Sequence, residues 1–426
     1  MKTKLFIFLA FTLSISLAQD IAEYREYHEK AIQAYYAQDK AGWLENNQKA
    51  LEVLPDCATN IYYAADAFAQ NNQPDSALKY LEMAVEFGYG WNSDKDENFK
   101  SLNENPEFLK IMVRVKELRK PVNNSSIAFT IAENDLIPEG LAYDPVEECF
   151  YLSSLYKCKI LKISKEGKVT EFKSEKQDGL RPVTGMKVDE KRRILWVCTE
   201  VSGLHYKDAD ESEIGWSGIF KYDLNSGELI KKYILMEKGV HHLFNDIVIT
   251  KSGDVYFTDS EARKVFFINH EKDHPETFLE NIGLGYPNGI ALSADEKYIY
   301  VADSGPGINR INLKTKEISF LKTPQNATTI GIDGLYLYNN SLIAVQNGFG
   351  EASRVTRFFL NENGDEVIKQ EILEMNNPHF IIPTTGAIAG DEFYYIANSQ
   401  LASFHQDNSI FPDEKLKDVI ILKVKL

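Results

Sequence analysis

From residue 126 to the C-terminus, short runs of Val, Ile, Tyr and Phe recur with Gly, Asn and Asp at their ends: "CFYLSS", "ILWVCTE", "DVYFTDS", "YIYVADS", "SLIAVQN" and "EFYYIAN". Runs this short, with no long amphipathic stretch between them, predict strands and an all-β unit. Shortly before each run stands a polar residue, then a small or acidic one, then an apolar one. In order these are Glu139-Gly140-Leu141, Thr184-Gly185-Met186, Asn245-Asp246-Ile247, Asn288-Gly289-Ile290, Asp333-Gly334-Leu335 and Thr385-Gly386-Ala387. Successive polar landmarks lie 45, 61, 43, 45 and 52 residues apart. Six repeats of this length, about four strands each, predict a six-bladed β-propeller. The longest interval holds a polar insert, "HYKDADESEIGWSG", expected as a loop after blade two. A ring must close without an open edge. The strand-like "SIAFTIAE" and "VIILKVKL" belong to no full repeat, so they are expected to share the last blade, the first as its outer strand.

The preceding segment has a helical period. Residues 19–119 read as a small α-helical domain, 120–125 as a linker and 126–426 as the propeller. "AGWLENNQKALEVLP" and "PDSALKYLEMAVEFG" align at an offset of 34 residues, Leu44 on Leu78, Ala50 on Ala84 and Leu51 on Val85. That period predicts tetratricopeptide-like hairpins. "NPEFLKIMVRVKEL" follows as a closing helix, with Asn105 as N-cap and Pro106 in the first turn. Such a unit reads either as a docking groove for a protein partner or as a cap on the propeller.

Composition narrows the setting. The 426-residue chain carries a formal charge of −16 spread along its length, which argues against nucleic acid and anionic membrane as partners. Two lysines, an apolar stretch from Leu5 to Leu17 and the small-x-small pattern ending at Ala18 predict a signal peptide over residues 1–18. The expected location is therefore periplasmic or extracellular, with no membrane span, since no later apolar run is long enough. Four cysteines are too few for a disulfide framework, and pairing of Cys149 with Cys158 across a hairpin is left open.

The first strand of every propeller blade lines the central channel, so Glu139, Thr184, Asn245, Asn288, Asp333 and Thr385 are expected at one level around it. Turn chemistry or hydration explains one or two such positions. It explains poorly two carboxylates and two carboxamides converging, because the acids would repel unless a cation lay between them. Oxygen donors without His or Cys suit one hard divalent cation, with Ca2+ the natural candidate.

The stretches "PEGLAYD", "FNDIVITKSGDVYFTD", "PNGIALSADEKYIYVADS" and "IDGLYLYNN" resemble the regucalcin/gluconolactonase (senescence marker protein) family, over residues 126–426. The resemblance implies a calcium held by a Glu, two Asn and an Asp from four blades, which carries over to Glu139, Asn245, Asn288 and Asp333. It also implies that Asp333 serves as general base or orients the attacking water in hydrolysis of a lactone or related ester. Paraoxonases, which share the fold, place a catalytic His at the second landmark; Thr184 stands there and favours gluconolactonase-like chemistry. Among the histidines, His242 is a candidate proton shuttle on a loop expected at the channel rim, and His241 and His379 are placed in the same way. Asp259 and Asp303 are expected to brace their blades. The alternative from another class is a non-catalytic partner-binding propeller in which the metal is structural.

Overall fold

The computed structural model describes residues 21–89, 93–203, 205–206, 208–280, 284–347 and 352–426. The signal peptide expected over residues 1–18 lies outside the described residues. Strand β1 (Ser126–Ile131) precedes five blades whose four strands follow in chain order. Blade one is β2 (Leu141–Asp144), β3 (Cys149–Ser154), β4 (Lys159–Ile163) and β5 (Val169–Lys173); blade two is β6 (Val183–Asp189), β7 (Ile194–Glu200), β8 (Ser217–Asp223) and β9 (Leu229–Leu235). Blade three is β10 (Phe244–Ile249), β11 (Val255–Asp259), β12 (Lys264–Ile268) and β13 (Pro275–Glu280). Blade four is β14 (Ile290–Leu292), β15 (Tyr298–Asp303), β16 (Gly307–Asn312) and β17 (Ile318–Phe320). Blade five is β18 (Ile332–Tyr338), β19 (Ser341–Gln346), β20 (Arg354–Leu360) and β21 (Val367–Met375). The sixth sheet has the order β1-β24-β23-β22, from β22 (Gly386–Ala389), β23 (Glu392–Ile396) and β24 (Val419–Lys425). The two ends of the β region thus close the ring in one blade, with β1 outermost, as the unpaired edges require.

The six apolar runs of the sequence are the second strands. β3, β7, β11 and β19 are buried along their whole length, because both faces of a blade pack on its neighbours. The core is accordingly radial. Tyr151, Leu195 and Phe220 fill the space between blades one and two, and Trp196, Phe244 and Phe257 that between two and three. Tyr300, Leu342 and Phe358 join blades four and five; Leu152, Leu161 and Ile421 join six and one. Each such side chain contributes about 1.5–3 kcal/mol by leaving water.

The glycine of the repeated landmark is explained by close approach. None of Gly140, Gly185 and Gly289 has a left-handed φ, so these are not turn glycines. A Cβ at Gly140 would overlap the Thr184 carbonyl oxygen; one at Gly289 would overlap the Asp333 carbonyl oxygen. Inner strands of adjacent blades meet there backbone to backbone. Gly140→Ala is expected to cost roughly 1–3 kcal/mol by forcing them apart, read as a lower urea midpoint.

The N-terminal part is helical: α1 over residues 21–36, α2 (Lys40–Val53), α3 (Ala58–Gln70), α4 (Pro74–Glu86) and α5 (Pro106–Leu118). Asn105 caps α5, its Oδ1 accepting from Glu107 N at 2.9 Å, with Pro106 in the first turn. Ala50 and Ala84, the aligned small residues, are fully buried. Among the described residues no helix is long and apolar enough to cross a membrane. The helices pack on blades four and five: Ala58, Ile61, Ala84 and Phe87 form one cluster with Ile330 and Met375. Tyr24 meets Phe320 edge to face, ring centroids 6.0 Å apart. Residues 120–125, read from sequence as a linker, lie along β21: Val122 and Met375 exchange backbone hydrogen bonds of 3.0 and 2.9 Å.

The polar insert falls inside blade two, between β7 and β8, rather than after it. Its apolar residues Tyr206 and Trp216 pack on Val201 of its own blade and on Cys158 of blade one, which anchors the loop across the two blades. Cys149 and Cys158 are free thiols. Cys149 opens β3, while Cys158 lies past its far end beside β4, so the length of the hairpin, roughly 15 Å, separates them.

Candidate metal centre

Glu139, Asn245, Asn288 and Asp333 stand at the starts of the inner strands of blades one, three, four and five, all at most 8 % exposed or, for Asn288, with its carboxamide oxygen fully buried. The register of three inner strands slips at the landmark, between Val183 and Met186, Phe244 and Ile247, and Ile332 and Leu335. Bulges of this kind re-aim side chains at the rims of closed sheets.

The hydrogen bonds leave oxygens free in the channel. Asn245 Nδ2 donates to Ser260 Oγ at 3.0 Å, which fixes the nitrogen side of the carboxamide. Asn347 Nδ2 donates to Asp333 Oδ2 at 2.7 Å and to Pro383 O at 2.9 Å, and the Asn288 side chain also bonds to the Asp333 carboxylate. Glu139 Oε2 and Asn288 Oδ1 are buried with no hydrogen-bond partner among the described residues. An acceptor buried without a donor costs about 1–3 kcal/mol, more when charged. Two such atoms beside a second carboxylate are what a cation-binding set requires. The residues fit a hard divalent ion.

Electrostatics point the same way. Burial pushes the Glu139 carboxyl well above the usual carboxylate range, and the charges of Asp333, Asp246 and Glu200 add to it. Asp333 is pushed up to about 6 by burial, against the hydrogen bonds from Asn347 and Asn288. Two further acids belong to the channel. Asp246, where the other five landmarks have Gly, is raised to about 6 by burial, partly offset by the Ile247 amide and by Lys187. Glu200, at the end of β7, is raised to about 7, again by burial first. The sequence pattern gave no reason to single out Asn347 or Glu200, which lie at the ends of second strands rather than at the landmark.

The two landmark threonines do other work. Thr184 Oγ1 donates to Phe244 O at 2.7 Å, and Thr385 Oγ1 donates to Glu139 O, so they tie blade two to three and six to one. Beyond the landmark level the channel continues as a cavity of about 510 Å³ with aliphatic walls, Asp246 and Lys187 among its lining.

His242 is not at the rim. Its side chain is fully buried, Nδ1 lies 2.6 Å from Asp259 Oδ2, and its ring contacts Phe244 and Phe266. A proton shuttle needs a path to substrate or solvent, and this imidazole is enclosed by Asp259, Phe244 and Phe266 of its own blade. Asp259 Oδ1 accepts from Leu243 N at 2.9 Å and from Ala262 N at 3.1 Å, and Asp303 accepts from Tyr286 N at 2.6 Å; both brace the loops that lead to Asn245 and Asn288. The β7–β8 insert and the β23–β24 loop meet where His205 N donates to Asn408 Oδ1 at 3.1 Å and the His205 ring lies 4.9 Å from that of Phe404. A separate trio, Asp144, Glu147 and Cys149, has ligand atoms within 4.8 Å of one another. Arg193 already supplies its counter-charge, at 2.6 and 2.7 Å from the Asp144 oxygens and 3.2 Å from Glu147.

Curated relatives match parts of the chain. It is 28% identical over 193 residues to lactonase drp35 of Staphylococcus haemolyticus (strain JCSC1435), covering 43% of this chain and 53% of that protein. It is 33% identical over 79 residues to the adipocyte plasma membrane-associated protein Hemomucin of Drosophila melanogaster, 15% of this chain and 13% of that one. The chain thus spans about half or less of these relatives' lengths. Among solved structures, a gluconolactonase, XC5397 of Xanthomonas campestris, is 15% identical with a TM-score of 0.47, covering 70% of this chain and 89% of that one. A luciferin-regenerating enzyme is 17% identical with a TM-score of 0.48, covering 72% and 96%. Similarity at that level says nothing of chemistry. The sequence model described as "SMP-30/Gluconolactonase/LRE-like region" matches residues 137–368, more than half of the chain and the span holding all four candidate ligands. The chain belongs to the SMP-30/gluconolactonase/LRE-like family.

Proposed function

We propose that this protein hydrolyses lactones or related esters with one divalent cation, Ca2+ by the donor chemistry, held by Glu139, Asn245, Asn288 and Asp333. The observation that carries the reading is the pair of buried, unpartnered oxygens, Glu139 Oε2 and Asn288 Oδ1, beside the Asp333 carboxylate. Family membership and the likeness to a staphylococcal lactonase support the reaction class. Zinc is disfavoured because neither His nor Cys belongs to the set.

Such a cation supplies Lewis acidity, drawing electron density from the carbonyl oxygen of a bound ester. The protein supplies the rest. Asn347 holds Asp333 Oδ2 at 2.7 Å, fixing the carboxylate's plane. In the cation-free protein burial raises that carboxyl to about 6; a bound cation would favour its ionised form, the form a general base requires. Asp333 takes a proton from the water that attacks the carbonyl carbon. As the acyl C–O bond breaks, the proton passes to the ring oxygen, giving a hydroxy acid.

Export to the periplasm or the cell exterior is part of this proposal and rests on the residue pattern of Met1 to Ala18. Calorimetric titration of Ca2+ into chelator-treated protein tests the metal reading, followed by a lactone panel with and without chelator. One tight site and chelator-sensitive hydrolysis are the expected results. A folded protein that binds no divalent cation would end the proposal.

A further inference from the structure

Asp259 and Asp303 end the second strands of blades three and four, and each holds the backbone two residues before an asparagine of the candidate centre. Asp259 Oδ1 accepts from Leu243 N at 2.9 Å, ahead of Asn245; Asp303 Oδ1 accepts from Tyr286 N at 2.6 Å, ahead of Asn288. In blade three the other carboxylate oxygen meets His242, three residues before Asn245, at 2.6 Å. The corresponding residue in blade four is Gly285, which has no side chain to offer. The counter-group there comes from outside the propeller. Arg25 of α1 donates through Nη2 to Asp303 Oδ2 and through Nη1 to Ser304 O at 3.0 Å.

Gly285 makes the room: a Cβ on it would overlap Arg25 Nη1. Gly285 N itself donates to Asp303 at 3.0 Å, and Asn309 Nδ2 donates to Oδ2 at 3.1 Å. The ion pair is buried, with side-chain exposures of 10% for Arg25 and 0% for Asp303. Removing one member of such a pair strands the other charge away from water, which is far more costly than losing a surface salt bridge. Tyr24 of α1 donates to Asn60 Oδ1 of α3 at 2.8 Å, and α3 is itself held to blade four by Thr59 Oγ1 donating to Gly305 O at 3.1 Å.

We infer that Arg25 is a positioning residue of the metal centre: the helical segment supplies the brace that blade four lacks, and so sets the 284–287 loop that presents Asn288. The family match begins at residue 137, so this brace comes from a part of the chain outside it. The link to cation binding rests on the function proposed above; the brace itself does not.

The test uses the full chain and two readouts, with Arg25→Ala and Arg25→Lys. The first readout is amide hydrogen exchange. In Arg25→Ala, exchange at Gly285 and Tyr286 is expected to rise roughly tenfold or more, while Leu243, braced by Asp259 and His242, stays as in the wild type. The second is calorimetric Ca2+ binding, expected to weaken about 10-fold, the scale for loss of a group that orients a ligand. Arg25→Lys keeps the charge without the two-pronged contact and should fall between. If Arg25→Ala does not fold, the lysine variant carries both measurements. Unchanged exchange at Gly285 and Tyr286 in a folded variant overturns the brace. Raised exchange with unaltered Ca2+ affinity overturns its coupling to Asn288. A wild type that binds no Ca2+ sinks the metal reading instead, and the exchange data still decide the brace.

Discussion

Lactone hydrolysis by the Asp333→Ala protein is expected to drop by about 10³-fold or more, the scale on which removal of a single preorganised electrostatic group acts. The carboxylate is asked to do two things at once. It is one of two formal charges in the four-residue set, and it is the proposed base. The fold should persist, because Asp333 faces the channel and takes no part in the hydrophobic clusters between blades. What is lost locally is the 2.7 Å bond from Asn347, whose Nδ2 keeps its second acceptor, Pro383 O. Initial rates on a lactone panel, with near-ultraviolet circular dichroism as the fold control, give the answer. A folded variant within tenfold of wild-type rate would remove Asp333 from the mechanism.

Glu139→Gln should move stability and binding in opposite directions. In chelator the wild type keeps two carboxyls, Glu139 and Asp333, both raised in the folded state, Glu139 well above the usual range and Asp333 to about 6. Groups raised this way favour the folded state fully below their unfolded values, and that contribution is lost as pH climbs through the folded ones. The cation-free wild type should therefore weaken from about pH 4 upward, through 6 and beyond. A glutamine carries no charge to desolvate and removes the repulsion on Asp333. Its gain in unfolding free energy in chelator at pH 8 is expected to be on the order of 1–3 kcal/mol, and to vanish near pH 4, where both wild-type carboxyls are protonated. Cation affinity should be largely abolished in the variant, and in the wild type should rise with pH over the same interval, since binding needs ionised carboxylates. Urea melts at the two pH values check the first claim and calorimetry the second. Equal stability of variant and wild type at pH 8 would mean that Glu139 is not under electrostatic strain.

The propeller was legible because its second strands carry the pattern twice over. Buried on both faces, β3, β7, β11 and β19 read as mostly apolar runs without alternation, and the landmark of a polar, a small or acidic and an apolar residue marks each inner strand that precedes them. The outer strands were legible only as a count. β9 is intermediate or exposed at all but one of its seven positions although five of its residues (LIKKYIL) are apolar, so composition does not report its place at the outer edge. The insert's place between β7 and β8 has no label in the sequence for a related reason: third and fourth strands carry no repeated landmark that would fix their order relative to a loop.

The repeat, the closure of the ring by its two ends, and the recurrence of oxygen-bearing side chains at one position of the repeat are all written along the chain. These follow from local periods, and a period needs no neighbour to be read. Tertiary structure decided which oxygens lack partners, since Thr184 and Thr385 share the landmark position and are spent on tying blades together. It decided that His242 faces a carboxylate in a packed interior instead of the rim. It also brought Arg25 to Asp303, 278 residues apart in the chain. Contacts at that separation arise from the docking of two independently patterned segments, so no spacing along the chain records them.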